Sequence, residues 1–345
     1  MKTRTLPVSK DSILEACKIL RQGDLVAFPT ETVYGLGGLG LRSESIRKIF
    51  EAKGRPSTDP LILHLPSPDL KQAAESGVIS DLVPDFARVL SKRFWPGPLT
   101  MILPRGSATP LEVTAGLNTV AVRYPAHPAT RGLLTELQEP LAGPSANRFG
   151  RISPTDAQAV LQELDGKIPL ILDGGECSTG IESTVISLTG ATPTILRPGA
   201  ITAAEIAQVI GCNVISDNSS LHDKTPAISP GTLASHYAPQ TPLYISGHPI
   251  EYFDSPYQYI LFTSKNPTLL PHVRILTQEG KPEVAAQNLY RILRESDSLG
   301  APAILFDPIP DSPLAPAIRD RITRASSGTA ERRNGGWLFT ARTKN

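Results

Sequence analysis

Residues 25–40 read LVAFPTETVYGLGGLG, and the reading of this stretch decides between two α/β architectures. Leu25 to Phe28 is a short apolar run ended by Pro29, the pattern of a buried strand. Thr30-Glu31-Thr32-Val33-Tyr34 follows as a polar loop rich in hydroxyls. Gly35, Gly37 and Gly40 then spell G-x-G-x-x-G, which between a strand and a helix marks a dinucleotide fold. The context here differs. Six residues separate Phe28 from Gly35, and no acid follows at strand-end distance, since Asp59 sits in a loop flanked by Pro56 and Pro60. The glycines are therefore read as a turn needing positive φ, and the chain is not read as a regular doubly wound array. No G-x-x-x-x-G-K-[ST] occurs, which excludes a P-loop.

Outward from this stretch, Ile13, Leu14, Cys17 and Leu20 recur at helical spacing, predicting a helix over residues 11–23. Ser43 is expected to cap a helix that runs to Lys53. Asp81–Phe94, Thr155–Leu164 and Thr202–Ile210 are read as helices, the second opened by Pro154 and the third capped by Thr202. Leu61–Leu65, Leu99–Leu103, Thr119–Arg123, Leu141–Gly143, Leu170–Leu172, Ser183–Leu188 and Pro193–Leu196 are read as strands. Strands and helices mix without strict alternation, which favours one mixed, twisted α/β sheet with flanking helices. From Gly211 to Gln240 the chain turns polar and carries Pro226, Pro230 and Pro239, as a linker does. Beyond it, strands at Tyr259–Thr263, Val273–Leu276 and Ala303–Phe306 alternate with helices at Pro282–Leu299 and Ala315–Ala325. That run fits a smaller parallel-sheet domain. The expected organisation is a first domain over 1–210, a linker over 211–240 and a second domain over 241–345.

Composition narrows the class. The chain has 345 residues, 40% apolar and 19% charged, enough to bury a core. The net charge of +1 gives no global drive toward nucleic acid or anionic membrane. Cys17, Cys177 and Cys212 are far apart and form no CxxC pair, which argues against a zinc ribbon or a disulfide framework and fits a reducing compartment. No stretch approaches a membrane span, so the expected location is the cytoplasm.

Several short motifs offer chemistry. Lys53-Gly54-Arg55-Pro56 places two cations about a glycine after a helix, a way to grip phosphates, although a solvated helix end looks the same. Gly143-Pro144-Ser145-Ala146-Asn147 presents a hydroxyl and an amide after a strand, and is also ordinary turn composition. Arg123 at a strand end suits a carboxylate or a surface ion pair equally. His64 within Leu61-Ile62-Leu63-His64-Leu65 is by default a core histidine. Six histidines without an H-x-x-x-H pattern argue against a catalytic metal held by the protein. No G-x-S-x-G is present and no covalent nucleophile stands out. Cations, hydroxyls and amides remain, a kit for positioning substrates.

Lys53-Gly54-Arg55-Pro56, Pro60-Leu61, Gly143-Pro144-Ser145-Ala146-Asn147, Ser153-Pro154-Thr155, Ser183-Thr184-Val185 and Leu196-Arg197-Pro198-Gly199 occur in this order. Together they resemble the YrdC/Sua5 family over about residues 11–210. Ser229-Pro230-Gly231 and His236-Tyr237-Ala238-Pro239 resemble the longer Sua5 type, which adds a C-terminal, Rossmann-like α/β domain.

The resemblance implies an enzyme that makes threonylcarbamoyl-AMP. L-threonine and bicarbonate give a carbamate, which attacks the α-phosphate of ATP and releases pyrophosphate. The product serves the threonylcarbamoyl modification of adenosine in tRNA, so it implies handover to the transfer machinery with weak or no direct tRNA binding and no membrane. Phosphoryl-type substitution needs charge neutralisation and alignment more than a nucleophile. By resemblance, Lys53 and Arg55 would be catalytic, on the ATP phosphates with Mg²⁺ sharing the charge. Ser145, Asn147, Ser153, Arg197, Thr119 and Tyr237 would complete the nucleotide site. Thr32, His64, Arg123, Gly143 and Ser183 would hold threonine, with Arg123 on its carboxylate. His236 and Tyr237 would close as a lid. Asp59 departs from the Asn that family members often carry, and an acid there would repel phosphates unless Mg²⁺ or Lys53 intervenes; it is kept as a nucleotide-site candidate. Two other readings stand beside this one. One is an RNA-binding module with Lys53, Arg55, Arg148 and Arg151 as its basic cluster. The other is carbamoyl transfer as in hydrogenase maturation proteins, which normally carry further zinc-finger-like and acylphosphatase-like regions.

Overall fold

Gly35 and Gly37 turn out to be strand, with Gly40 in the turn just after it, and a phenylalanine is the reason. In the computed structural model, which describes residues 2–216, 236–251, 253, 256–264 and 270–342, none of these glycines has a positive φ. A Cβ built at Gly35 would lie 2.6 Å from the Phe28 ring, and one at Gly37 would lie 2.8 Å from it. The glycines thus make room for Phe28 across a strand pair. The expected turn is corrected to a strand over Gly35–Leu39, leaving Gly40 in a turn, and no helix opens at the glycines as a dinucleotide loop requires.

The chain divides into two compact units, one of residues 1–149, 153–178 and 182–233, the other of residues 150–152, 179–181 and 234–345. The first is built on Arg4–Pro7 (β1), Val26–Phe28 (β2), Gly35–Leu39 (β3), Ile62–His64 (β4), Leu99–Pro104 (β5), Thr119–Arg123 (β6), Leu141–Ala142 (β7), Leu170–Asp173 (β8), Thr184–Ser187 (β9), Thr194–Arg197 (β10) and Ile215–Ser216 (β11). They form one mixed sheet in the order β1-β8-β2-β3-β7-β4-β6-β5-β9-β10-β11. β4 and β6 run parallel with His64 opposite Arg123, while β5 runs antiparallel to β6 and parallel to β9.

Period-two alternation sorts the side chains. Leu63, Leu99, Met101, Leu103, Val120, Val122 and Ile186 join the main core. Their neighbours Ile62, Ile102, Ala121 and Val185 point the other way and form a small apolar cluster of their own with Leu196. Lys10–Arg21 (α1) and Pro128–Leu137 (α5) cover the β2–β8 region through Cys17, Leu20, Leu133 and Leu134. Each such buried aliphatic side chain contributes roughly 1.5–3 kcal/mol.

The other helices are Ser43–Lys53 (α2), Leu70–Glu75 (α3), Asp85–Phe94 (α4), Ala157–Leu164 (α6) and Ala203–Ile210 (α7). Three expected starts shift. Arg42, not Ser43, is the N-cap of α2. The helix expected from Asp81 begins only at Asp85, because Pro84 at its N-cap is extended. Asp156 caps α6, so Thr155 and Pro154 lie outside it. Thr202 does cap α7, in a reciprocal box with Glu205.

The second unit carries Leu243–Ser246 (β12), Gln258–Leu261 (β13), Val273–Ile275 (β14), Ile304–Phe306 (β15), Gly328–Arg333 (β16) and Gly336–Ala341 (β17) in the order β14-β13-β15-β12-β16-β17. All pairs are parallel except the β16–β17 hairpin at one edge. Pro282–Asp297 (α8) and Ala315–Ala325 (α9) accompany them. Most of the linker expected over 211–240, Ser229-Pro230-Gly231 included, lies outside the described residues. Among the described residues no helix is long and apolar enough to cross a membrane.

Candidate functional site

Parallel register of β4 and β6 puts His64 beside Arg123, and the two antiparallel neighbours bring further groups to the same place. Arg123 is buried and spends its guanidinium on three partners. Nε donates to the Gly97 carbonyl at 3.2 Å, Nη1 to the Thr32 hydroxyl at 3.0 Å and Nη2 to Glu31 Oε1 at 2.6 Å. Glu31 Oε2 also accepts from the Ala126 amide at 3.1 Å. Burial pushes the Glu31 carboxyl up, but the charge and hydrogen bonds of Arg123, with that amide, outweigh it and hold it below the usual range. Thr30 holds the loop in shape, bonding Thr32 Oγ1 at 2.8 Å and donating to the Val33 carbonyl at 2.6 Å.

His64 is kept neutral. Burial first, and the charge of Arg123 second, push its pKa down to about 3. Nε2 lies 3.3 Å from the Gly143 carbonyl, so the neutral ring donates there. That leaves Nδ1 a buried acceptor without a hydrogen-bond partner. Phe28 packs edge-on against the ring at 5.5 Å. A Cβ at position 143 would lie 2.8 Å from the His64 ring and 2.9 Å from Phe28, so a larger residue there must displace one of these rings.

The cations of the Lys-Gly-Arg-Pro motif are buried rather than displayed. Lys53, the last residue of α2, donates its ammonium to the main-chain carbonyls of Ser145 and Asn147. Burial, with Arg55 beside it, pushes its pKa well down. Gly54 ends the helix in the left-handed region with φ 63°. Arg55 then folds over its own loop, Nε donating to the Asp59 carbonyl at 3.1 Å and Nη2 to the Pro60 carbonyl at 2.8 Å. Its Nη2 also lies 2.8 Å from Asp59 Oδ1 in a buried ion pair. Burial pushes the Asp59 carboxyl up against the opposing charges of Arg55, Lys53 and Arg197.

At the start of β9 the Ser183 hydroxyl lies 2.8 Å from that of Thr100, and Arg197 donates from Nη2 to the Ser183 carbonyl and hydroxyl at 3.0 and 3.1 Å. A register shift in β10 between Ile195 and Arg197 breaks its alternation at this point. Ser153 donates to Glu182 at 2.6 Å. Asn147 Nδ2 donates to the Arg148 carbonyl at 2.7 Å.

The fold thus gathers Thr32, His64, Arg123 and Gly143 in one group, Lys53, Arg55, Asp59, Ser145 and Asn147 in a second, and Ser183 with Arg197 in a third. Thr119 begins β6 while Arg123 ends it, which sets them roughly 13 Å apart on one side of the strand. Tyr237 lies in the second unit, buried between His236, Tyr290 and Arg321. Sequence reasoning missed Glu31, Thr100 and Glu182. Glu31 alone had a signal, an acid inside a hydroxyl-rich loop. Of the basic residues expected for an RNA-binding module, Lys53 and Arg55 are buried, and Arg148 and Arg151 are ion-paired to Glu163 and Asp297.

Residues 18–199 match the Sua5/YciO/YrdC family model, described as telomere recombination, and residues 201–327 match the threonylcarbamoyl-AMP synthase C-terminal domain. A threonylcarbamoyl-AMP synthase of Bacillus subtilis is 40% identical over 338 residues, covering 94% of this chain and 96% of that one. One of Pyrococcus abyssi is 38% identical, covering 90% of this chain and 93% of that one. The crystal structure of P. abyssi Sua5 complexed with L-threonine superposes with a TM-score of 0.85 at 36% identity, over 96% of this chain and 100% of that one. The crystal structure of Escherichia coli YciO shares the fold of 59% of this chain, with a TM-score of 0.50 at 23% identity. The chain belongs to the Sua5/YciO/YrdC family and carries the Sua5-type C-terminal domain.

Proposed function

We propose that the protein synthesises L-threonylcarbamoyladenylate from L-threonine, bicarbonate and ATP, releasing pyrophosphate, for threonylcarbamoyladenosine modification of tRNA. The observation that carries this reading is a set of buried polar groups in the first unit, Arg123 with His64 across β4 and β6, and Lys53 with Arg55 at the end of α2. Arg123 would take the threonine carboxylate, its plane already aligned by Glu31, Thr32 and Gly97. The unpartnered Nδ1 of His64 is an acceptor for a donor on the amino acid. The amine nitrogen gains its carboxylate from bicarbonate with loss of water. A carbamate oxygen then attacks the α-phosphorus, and the bond to pyrophosphate breaks. Lys53 would act chiefly by shaping the Ser145–Asn147 loop, since two of its donors are spent there. Arg55 and Arg197 would face the charge that develops on phosphate.

Mg²⁺ fits this site as a passenger on the nucleotide. Among the described residues no group of three or more His, Cys, Asp or Glu side chains could hold a metal ion. A nucleotide-borne Mg²⁺ keeps waters and phosphate oxygens and needs only one or two carboxylates. The bound ion would supply charge neutralisation on the phosphates.

Pyrophosphate release tests the reading. With ATP and Mg²⁺, release should require both L-threonine and bicarbonate, and serine should not replace threonine. Threonine-independent release, or none from folded protein, would sink it.

A further inference from the structure

We propose that Thr100 is a positioning residue for the amino acid: its buried hydroxyl commits the Ser183 oxygen as an acceptor and so leaves the Ser183 proton for an acceptor oxygen of the substrate. This rests on the reading that Arg123 and Ser183 hold threonine.

Strand pairing puts Thr100 among the polar groups already described. It precedes Met101, which faces Val122 across the β5–β6 pair, so it stands opposite Arg123, as His64 does on the far side of β6. On its other flank Thr100 is level with Val185, two residues after Ser183. Residues opposite one another, and residues two apart along a strand, share a face of the sheet. His64, Arg123, Thr100 and Ser183 therefore share the face that also carries Ile62, Ile102, Ala121 and Val185.

Proton accounting then fixes the direction of each bond. Thr100 is 0% exposed, and among the described residues its hydroxyl bonds only that of Ser183, at 2.8 Å. A buried hydroxyl proton without an acceptor is costly, so Thr100 donates and Ser183 accepts. Arg197 carries donors only, and its Nη2 gives a hydrogen bond to the same Ser183 oxygen at 3.1 Å. A hydroxyl oxygen has two lone pairs, and these two donors occupy them. The proton of Ser183 is left over, on a side chain that is itself buried. A carboxylate or hydroxyl oxygen of a ligand satisfies it, and an ammonium does not. His64 offers the opposite polarity, since its Nδ1 is a buried acceptor. The face thus ends in an acceptor on one side of Arg123 and a donor on the other, which suits an amino acid.

Pyrophosphate-release kinetics and melting temperatures of Thr100→Val, Thr100→Ser, Ser183→Ala and the Thr100→Val/Ser183→Ala pair test this. Thr100→Val keeps the branched shape without the hydroxyl and should raise the threonine KM about three- to tenfold. The turnover number and the ATP KM should stay within about twofold, and Thr100→Ser should restore the threonine KM. On the Ser183→Ala background Thr100→Val should cost nothing further, because its effect passes through the missing oxygen. A folded Thr100→Val protein with the wild-type threonine KM overturns the proposal. So does a Thr100→Val effect that persists in full without the Ser183 hydroxyl. Thr100→Ala replaces Thr100→Val if the latter does not fold. An unchanged threonine KM in Ser183→Ala would remove Ser183 from the threonine site and overturn the underlying reading with the proposal, an outcome distinct from a failure at Thr100 alone.

Discussion

Arg123 shows how much of a residue's role depends on partners distant in sequence. A strand-end arginine can hold a carboxylate or sit in a surface ion pair, and the chain does not say which. Its partner Glu31 lies 92 residues away and Gly97 lies 26 residues away. These contacts hold the guanidinium in one plane before any ligand arrives, and that lowers the ordering cost of binding. Arg123→Ala is expected to raise the threonine KM by roughly ten- to a hundredfold, as a hydrogen bond to a charged group contributes about 1.5–3 kcal/mol. The ATP KM should change far less, and steady-state kinetics with each substrate varied will show it. A parallel rise in both constants would argue against the assignment.

Elements decide which of these residues can meet. The strand pair β2–β3 requires glycine under Phe28, and Phe28 in turn supports the ring of His64. Gly143→Ala tests this coupling. The new methyl would sit 2.8 Å from the His64 ring, an overpacked contact worth about 1–3 kcal/mol. A lower melting temperature together with a raised threonine KM is expected, and an unchanged threonine KM would show that His64 does not feel position 143. Strands with strong apolar runs, such as β4, β5 and β6, were legible from pattern alone. β1, with its sequence Arg4-Thr5-Leu6-Pro7, was not, because its place comes from pairing with β8 and not from its own composition. The same holds for β12, β16 and β17, and for α5, whose signal is one proline and a few leucines.

For the whole molecule, the burial of His64 becomes a statement about stability. The unfolded chain titrates it near 6.5, while the folded state holds its pKa at about 3. As pH falls below 6.5 the unfolded state takes up a proton that the folded state refuses. The contribution is therefore fully present above pH 6.5 and is lost between pH 6.5 and about 3, at up to about 1.4 kcal/mol per pH unit. Denaturant melts of wild type and His64→Asn between pH 7 and pH 4 should differ in slope by about one proton. Identical slopes would mean that His64 is not buried neutral. For the same reason threonine affinity should show no inflection near pH 6.5 attributable to His64.

The ordered motifs from Lys53 to Gly199 named the family from the chain alone, because each is a local run whose residue types must sit on one loop. The mixed sheet was also readable, since alternation and turn residues act over a few positions. The Glu31–Arg123 pair, the burial of Lys53 against two loop carbonyls and the trapped carboxylate of Asp59 were not. The Glu31–Arg123 pair and the carbonyls that receive Lys53 join segments 92 to 94 residues apart, which only the packing of the whole sheet brings together, while the Arg55–Asp59 pair is local and depends on the conformation its loop takes.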